Sequence, residues 1–177
     1  MIPGQTAEIP GPKKAFVIPK PEVAAAMIKR AKRVLLIVGS EAINLKTKDG
    51  DFVDTAIRMV GIDNVTIAAT GNLIKEFRER NINDLHAMSL MNLGDRLRSP
   101  GWEGLDGGGG YDLVIFAGFP YYMEWLVLSG LKSFATNLKT ISLERLYQPN
   151  ASWSLGNTTK EDWKEVIEKI VSILEEK

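Results

Sequence analysis

No cysteine occurs anywhere in the 177 residues, and there is a single histidine, His86. The first absence excludes disulfides, thiolate nucleophiles and cysteine-ligated zinc or iron–sulfur centres. The second excludes a multi-histidine site, so no metal ligands and no catalytic residues are assigned. Any redox role would have to use a bound organic cofactor or the metals of a partner. Net charge is lacking too: 22 Lys and Arg stand against 22 Asp and Glu. A neutral chain offers no general field to attract nucleic acid or an anionic membrane. Neutrality also does little to keep copies apart, and a homo-oligomer or larger assembly is expected. The longest apolar stretches, such as Val34–Val38, are far too short to span a bilayer. Residues 1–20 lack the continuous apolar core of a signal peptide, so a cytoplasmic protein is expected.

Two nucleotide signatures are also missing. No GxGxxG follows the first strand-like run, and no GxxxxGK[ST] occurs at all. The stretch 100–110 is glycine-rich, but it precedes a strand instead of linking a strand to a helix. It is read as a flexible loop in preference to a phosphate cradle.

What is present is an apolar content of 45% in alternating blocks. Residues 1–20 carry Pro3, Pro10, Pro12 and Pro19, which remove backbone donors and predict an extended arm. Two readings of the arm stand: a frayed tail, or a segment laid over a partner through Ala15, Phe16, Val17 and Ile18. Residues 21–177 form one α/β domain of nucleotide-binding-like organisation. Helical spacing begins at Pro21, and Val34–Val38 reads as a strand buried on both faces. Further strands are predicted at Val65–Ala69, weakly at 87–91, and at 112–118 and 140–143. Helices are predicted between them, notably at Tyr121–Phe134 and 159–176. The alternation predicts a three-layer α/β/α, Rossmann-like fold with a mostly parallel sheet of five or six strands.

Ligands of such sheets bind beyond the carboxyl ends of the strands, at a topological switch point. Three strand ends are therefore cofactor-binding candidates: Gly39 with Ser40; Thr70 with Gly71 and Asn72; and Gly118. Glycine allows close ligand approach, although such turns use glycine and serine whether or not they bind anything. His86 is read as a lone surface or satisfied core residue, and Asp49, Asp51 and Asp54 as a solvated helix start. Tyr121, Tyr122 and Trp125 lie on a helix apolar around most of its circumference, and are candidates for a partner interface as much as for core.

The segment 24–39 (AAAMIKRAKRVLLIVG) resembles the opening of the epsilon subunit of the archaeal carbon monoxide dehydrogenase/acetyl-CoA synthase complex. So do Trp102-Glu103-Gly104-Leu105-Asp106-Gly107, the run from Tyr111 to Gly118 with Tyr121-Tyr122, and Tyr147-Gln148-Pro149-Asn150-Ala151. The resemblance implies a fold like nicotinamide- or flavin-binding domains and association with the nickel–iron–sulfur alpha subunit. It further implies a role in stabilising that subunit or in helping pass electrons to FAD. The family has no agreed catalytic residues, so none is carried over. A free-standing nucleotide-dependent enzyme, drawing on Ser40, Glu41, Thr70, Asn72 or His86, is the alternative.

Overall fold

The computed structural model describes residues 11, 13–83 and 85–176. Strand β1 (Phe16–Val17) is followed by α1 (Pro21–Arg30), β2 (Val34–Val38), α2 (Phe52–Val60) and β3 (Val65–Ala69). Then come α3 (Ile74–Glu79), β4 (His86–Ala87), α4 (Leu90–Leu97), β5 (Leu113–Ala117) and α5 (Tyr121–Phe134). The chain closes with β6 (Lys139–Ser142), β7 (Trp153–Ser154) and α6 (Lys160–Glu175). All pairings are parallel, in the order β1-β7-β6-β5-β2-β3-β4.

The alternation of side chains along a strand sorts the core into two layers. From β2, Val34, Leu36 and Val38 face α1, α2 and α6, while Leu35 and Ile37 face α4 and α5. Leu113, Ile115 and Ala117 of β5 join the first layer, and Val114 and Phe116 the second. Both β2 and β5 are buried at all five residues because both faces are covered. The anticipated three-layer parallel fold is therefore present. The sheet has seven strands instead of five or six, because β1, β4 and β7 are only two residues long and too short to leave a periodic signal. The weak strand expected at 87–91 shrinks to His86–Ala87, and Leu90 already begins α4, capped by the Ser89 hydroxyl.

Part of the N-terminal segment belongs to the chain's own sheet. Ala15 and Ile18 are buried, and the Ala15, Phe16 and Ile18 amides bond Pro149, Ser152 and Ser154 carbonyls. The rest of the expected arm, residues 1–10 and 12, lies outside the described residues. The three aspartates expected to be merely solvated do more than that. Asp51 caps α2 in a reciprocal box with Asp54, and both carboxylates grip Arg80, at 2.9 and 2.7 Å. Asp49 joins Glu168 and Glu175 around Arg58, which ties α2 to α6. Networks of this kind hold more than isolated surface pairs. Among the described residues no helix is long and apolar enough to cross a membrane.

Trp163 fixes α6 from inside. Its ring packs 6.0 Å from that of Phe52, and its indole N–H donates to the Leu143 carbonyl at 2.8 Å. Trp163→Ala should lower unfolding free energy by about 3–5 kcal/mol, read from urea denaturation, since it leaves a cavity and an orphan carbonyl. A loss under 1 kcal/mol would show that α6 is held elsewhere.

Candidate site at the strand ends

Strand order reverses between β2 and β5. The chain leaves β2 towards β3 and β4, then returns at β5 on the other side, and the helices change face with it. This is the switch point at which a ligand crevice would open. Here the crevice is closed by backbone. Gly39 N–H donates to Ala117 O at 2.8 Å, and Glu41 N–H to Gly118 O at 2.9 Å. A Cβ on Gly39 would lie 2.2 Å from Gly118 O and 2.5 Å from the Phe119 ring. A Cβ on Gly118, whose φ is +81°, would lie 2.8 Å from Ala42 N. Both glycines are needed so that two chain segments can touch, and neither presents its backbone to a ligand.

Behind this contact lies a pair of acids. Glu144, at the end of β6, is buried and accepts hydrogen bonds from the Gly118 and Phe119 amides. Glu124, in the first turn of α5, is fully buried, and neither carboxyl oxygen has a hydrogen-bond partner. Burial, joined by the Glu144 charge, pushes Glu124 well above the usual carboxylate range. Burial also lifts Glu144, to about 7. The two amides and Arg145 pull it down, while Glu41 pushes it up. A neutral Glu124 beside an ionising Glu144 is the arrangement that avoids two unpaired charges in the interior.

The other predicted cofactor residues lie on the rim. Thr70 continues β3 beside the end of β2, its amide donating to Val38 O at 3.1 Å, and its hydroxyl is buried without a partner. Gly71 and Asn72 are exposed in a single 3₁₀ turn, and Ser40 opens another. Ser40, Thr70, Gly71 and Asn72 thus share one edge, while Gly39 and Gly118 are sealed beneath it. A flavin dinucleotide needs backbone amides or cations facing its pyrophosphate. This site instead holds two sealed glycines and the acids Glu41, Glu124 and Glu144, so these residues do not fit FAD as they stand. His86 lies in β4, level with Ala68. Among the described residues it makes no side-chain hydrogen bond to Ser40, Glu41, Thr70 or Asn72, so the set named for a free-standing enzyme does not assemble.

The glycine-rich stretch is not a loose loop. It wraps Arg33, whose guanidinium pairs with Asp106 and sits 5.1 Å from the Tyr111 ring centroid. A Cβ on Gly108 would fall 2.3 Å from Arg33 Nη1, so glycine is what lets the loop close on the arginine. Asp112 accepts from the Lys32 and Arg33 amides at 2.9 and 2.8 Å and ties the starts of β2 and β5 together.

The remaining feature is the outer face of α4 and α5. Tyr122 (69% exposed), Leu126 (56%) and Phe134 (70%) follow one another at helical spacing, with Gly130 completing the stripe. Met123 and, from α4, Met91 extend it. A groove of about 380 Å³ runs between the helices, which approach closely where Gly94 meets Val127. Of the three aromatics singled out in the sequence, only Tyr122 is exposed. Tyr121 is half-buried and donates its hydroxyl to Tyr147 O at 3.3 Å, and Trp125 is half-buried with its indole nitrogen unpartnered. Sequence reasoning missed Phe134 and the Glu124–Glu144 pair. The one legible signal for the pair was an acid inside the otherwise apolar YYMEWLVL run.

The chain is thus a doubly wound parallel α/β domain with a backbone-sealed switch point and a long exposed apolar stripe. The sequence matches, over residues 1–171, the family described as CO dehydrogenase beta subunit/acetyl-CoA synthase epsilon subunit, and the chain belongs to that family. It is 36% identical to the acetyl-CoA decarbonylase/synthase complex subunit epsilon of Methanothrix soehngenii, over 98% of this chain and 91% of that one. It is 38% identical to subunit epsilon 1 of Methanosarcina barkeri (87% and 86% covered). Against subunit epsilon 1 of Archaeoglobus fulgidus the identity is 40% (80% and 74% covered).

The acid pair gives a pH prediction. Because Glu144 titrates near 7 when folded and at its ordinary 4.5 when unfolded, the folded chain holds a proton that the unfolded chain has lost between these values. Glu124, also held above the usual range, adds a fall of the same sign, so stability should fall as pH rises from about 4.5, with the Glu144 share complete near 7. In Glu144→Gln, whose amide oxygen can still accept from Gly118 and Phe119, the Glu144 share should disappear and leave the shallower fall due to Glu124. Equal slopes for the two proteins in denaturant titrations at pH 5, 6, 7 and 8 would refute the assignment.

Proposed function

We propose that this chain is a non-catalytic accessory subunit. In this reading it stabilises the nickel–iron–sulfur alpha subunit of the carbon monoxide dehydrogenase component of an acetyl-CoA decarbonylase/synthase complex, in the cytoplasm. The observation that carries the reading is the stripe of Tyr122, Leu126 and Phe134, flanked by Met91 and Met123. Exposed apolar surface on this scale costs solvation free energy in a free monomer and is relieved by a partner. Aromatic and methionine side chains beside small ones (Gly94, Gly130) are the composition of an interface centre. Family membership supplies the assembly, and the sealed crevice favours a supporting role over chemistry of the chain's own.

The test is co-expression of the tagged chain with the alpha subunit under anaerobic conditions, followed by affinity capture. The unaltered chain should retain the alpha subunit. Tyr122→Asp with Leu126→Asp should weaken capture by roughly thirtyfold or more, as for a central interface cluster, without changing the stability of the isolated chain. Undiminished capture would move the interface elsewhere, and carbon monoxide oxidation by the isolated chain would overturn the non-catalytic role. Self-association through the same stripe is the competing use. Sedimentation of the isolated chain distinguishes it, since a self-paired stripe gives a dimer that the double substitution disperses.

Passage of electrons to FAD draws no support from Gly39, Ser40, Thr70, Gly71, Asn72 and Gly118 as they are arranged. Titration of the isolated chain with FAD should give no saturable binding. A saturable complex abolished by Gly71→Val would restore these residues as a flavin site.

A further inference from the structure

Gly130 lies in the interior of α5, four residues before its end. Nothing among the described residues calls for a glycine there. A Cβ built on it meets no atom within 4 Å, and its φ is not positive. Glycine in a helix interior lowers stability relative to alanine, because the unfolded chain has more freedom to lose. Gly94 of α4 shows the contrast. A Cβ on Gly94 would lie 3.1 Å from Val127 Cγ1, so the approach of α4 to α5 accounts for that glycine. The fold gives no such account of Gly130, and its reason lies outside the chain.

Gly130 is also where the apolar ridge of α5 is broken. Tyr122, Leu126, Gly130 and Phe134 follow one another four residues apart, along one line of the helix surface about 18 Å long. Between the exposed Leu126 and Phe134 the ridge has a gap one side chain deep, which opens into the groove between α4 and α5. Groups beside the gap that could hold a polar ligand are engaged. The Ser133 hydroxyl donates to Ser129 O at 3.0 Å. Asp95 and Arg98, the charged residues of the groove, pair with each other, and Arg98 lies 5.8 Å from the Phe134 ring centroid. With its charges closed on themselves, this face is complemented by an uncharged apolar surface. A small apolar molecule would fill the gap and leave Tyr122, Met123 and Leu126 in water. A ridge three turns long is matched along its whole length by another helix. Two copies of this chain crossing at Gly130 would set gap against gap and fill neither, so the occupant is a helix of a different chain.

We propose that Gly130 is the crossing point for a helix of the alpha subunit, which sets one large apolar side chain into the gap between Leu126 and Phe134. The inference rests on the accessory-subunit reading and adds to it the residue that fixes where the partner sits. The missing side chain lets the two helix axes draw together at that point, and the knob that enters it sets the register of one helix along the other. The chain keeps this seat open at some cost in helix stability, as specific interfaces do.

The test is a size series at one position, Gly130→Ala and Gly130→Leu, with two readouts. In urea denaturation of the isolated chain both variants should be more stable than the unaltered protein, by roughly fivefold in the folding equilibrium. In anaerobic affinity capture of the co-expressed alpha subunit the order should reverse. Gly130→Ala should weaken capture mildly, and Gly130→Leu roughly tenfold or more, as for overpacking of an occupied site. Leucine adds apolar surface, so a face with no seat at this position would hold the alpha subunit as well or better. If Gly130→Leu is captured undiminished while Tyr122→Asp with Leu126→Asp is not, the crossing point is overturned and the accessory reading stands. Undiminished capture of both overturns the two together. A Gly130→Leu chain less stable than the unaltered one would give the glycine a role inside the fold and overturn the inference. So would a dimer of the isolated chain, seen by sedimentation and dispersed by Gly130→Leu, which would assign the gap to a second copy.

Discussion

At the centre of the sheet the ends of β2 and β5 approach until the backbone of Gly39 touches that of Gly118, closer than any side chain would allow. Much else depends on that contact. It lets β2 and β5 run in register across all five residues, which places Leu35, Ile37, Val114 and Phe116 in one layer and Val34, Leu36, Leu113 and Ile115 in the other. It closes the crevice in which related architectures hold a dinucleotide. It also orients the Gly118 and Phe119 amides towards Glu144, and so makes a buried carboxylate tolerable where otherwise it would be very costly.

The zero net charge conceals a partition. On the α2 and α6 side, Arg58 and Arg80 are each surrounded by three carboxylates. Beside β1, Lys13, Lys14 and Lys139 form no ion pair among the described residues. Across α4 and α5 the surface is largely apolar, with Tyr122, Leu126 and Phe134 outermost. A chain arranged in this way presents three chemically different faces, and an assembly can use each without disturbing the others. The apolar face suits a large permanent contact, since charged rims add specificity and encounter rate more than affinity.

The long elements were legible in the sequence because their burial is uniform. Val34–Val38, Val65–Ala69 and the run through Leu113–Ala117 are covered on both faces and read as continuous apolar strands. The helix Tyr121–Phe134 was legible for another reason, being apolar around most of its circumference whether buried or exposed. The two-residue strands were not, since their pairing comes from tertiary contact: Phe16 and Val17 become a strand only because Trp153 and Ser154 are beside them. The site was less legible still. Glycine at a strand end looks alike whether it admits a ligand or a neighbouring backbone, and only the Gly39–Gly118 distance separates the two. The glycine-rich stretch misled in the same way, because its occupant, Arg33, is more than seventy residues away in the chain. An acid such as Glu124 cannot be placed inside or outside without knowing which face of α5 meets Gln148 and Ser142.

The order of strands has a consequence during synthesis. In the sheet β2 lies between β3 and β5, yet Leu113 leaves the ribosome about seventy-five residues after Val38. Throughout that interval the nascent chain carries Val34–Val38 with one row of amides and carbonyls open, the kind of edge that pairs with other chains. Asp112 and the Arg33 clamp sit at the start of β5, where they can fasten its first residues to β2 as soon as they emerge. The loop that grips Arg33 is thus also the device that shortens the time for which the half-made sheet stays adhesive.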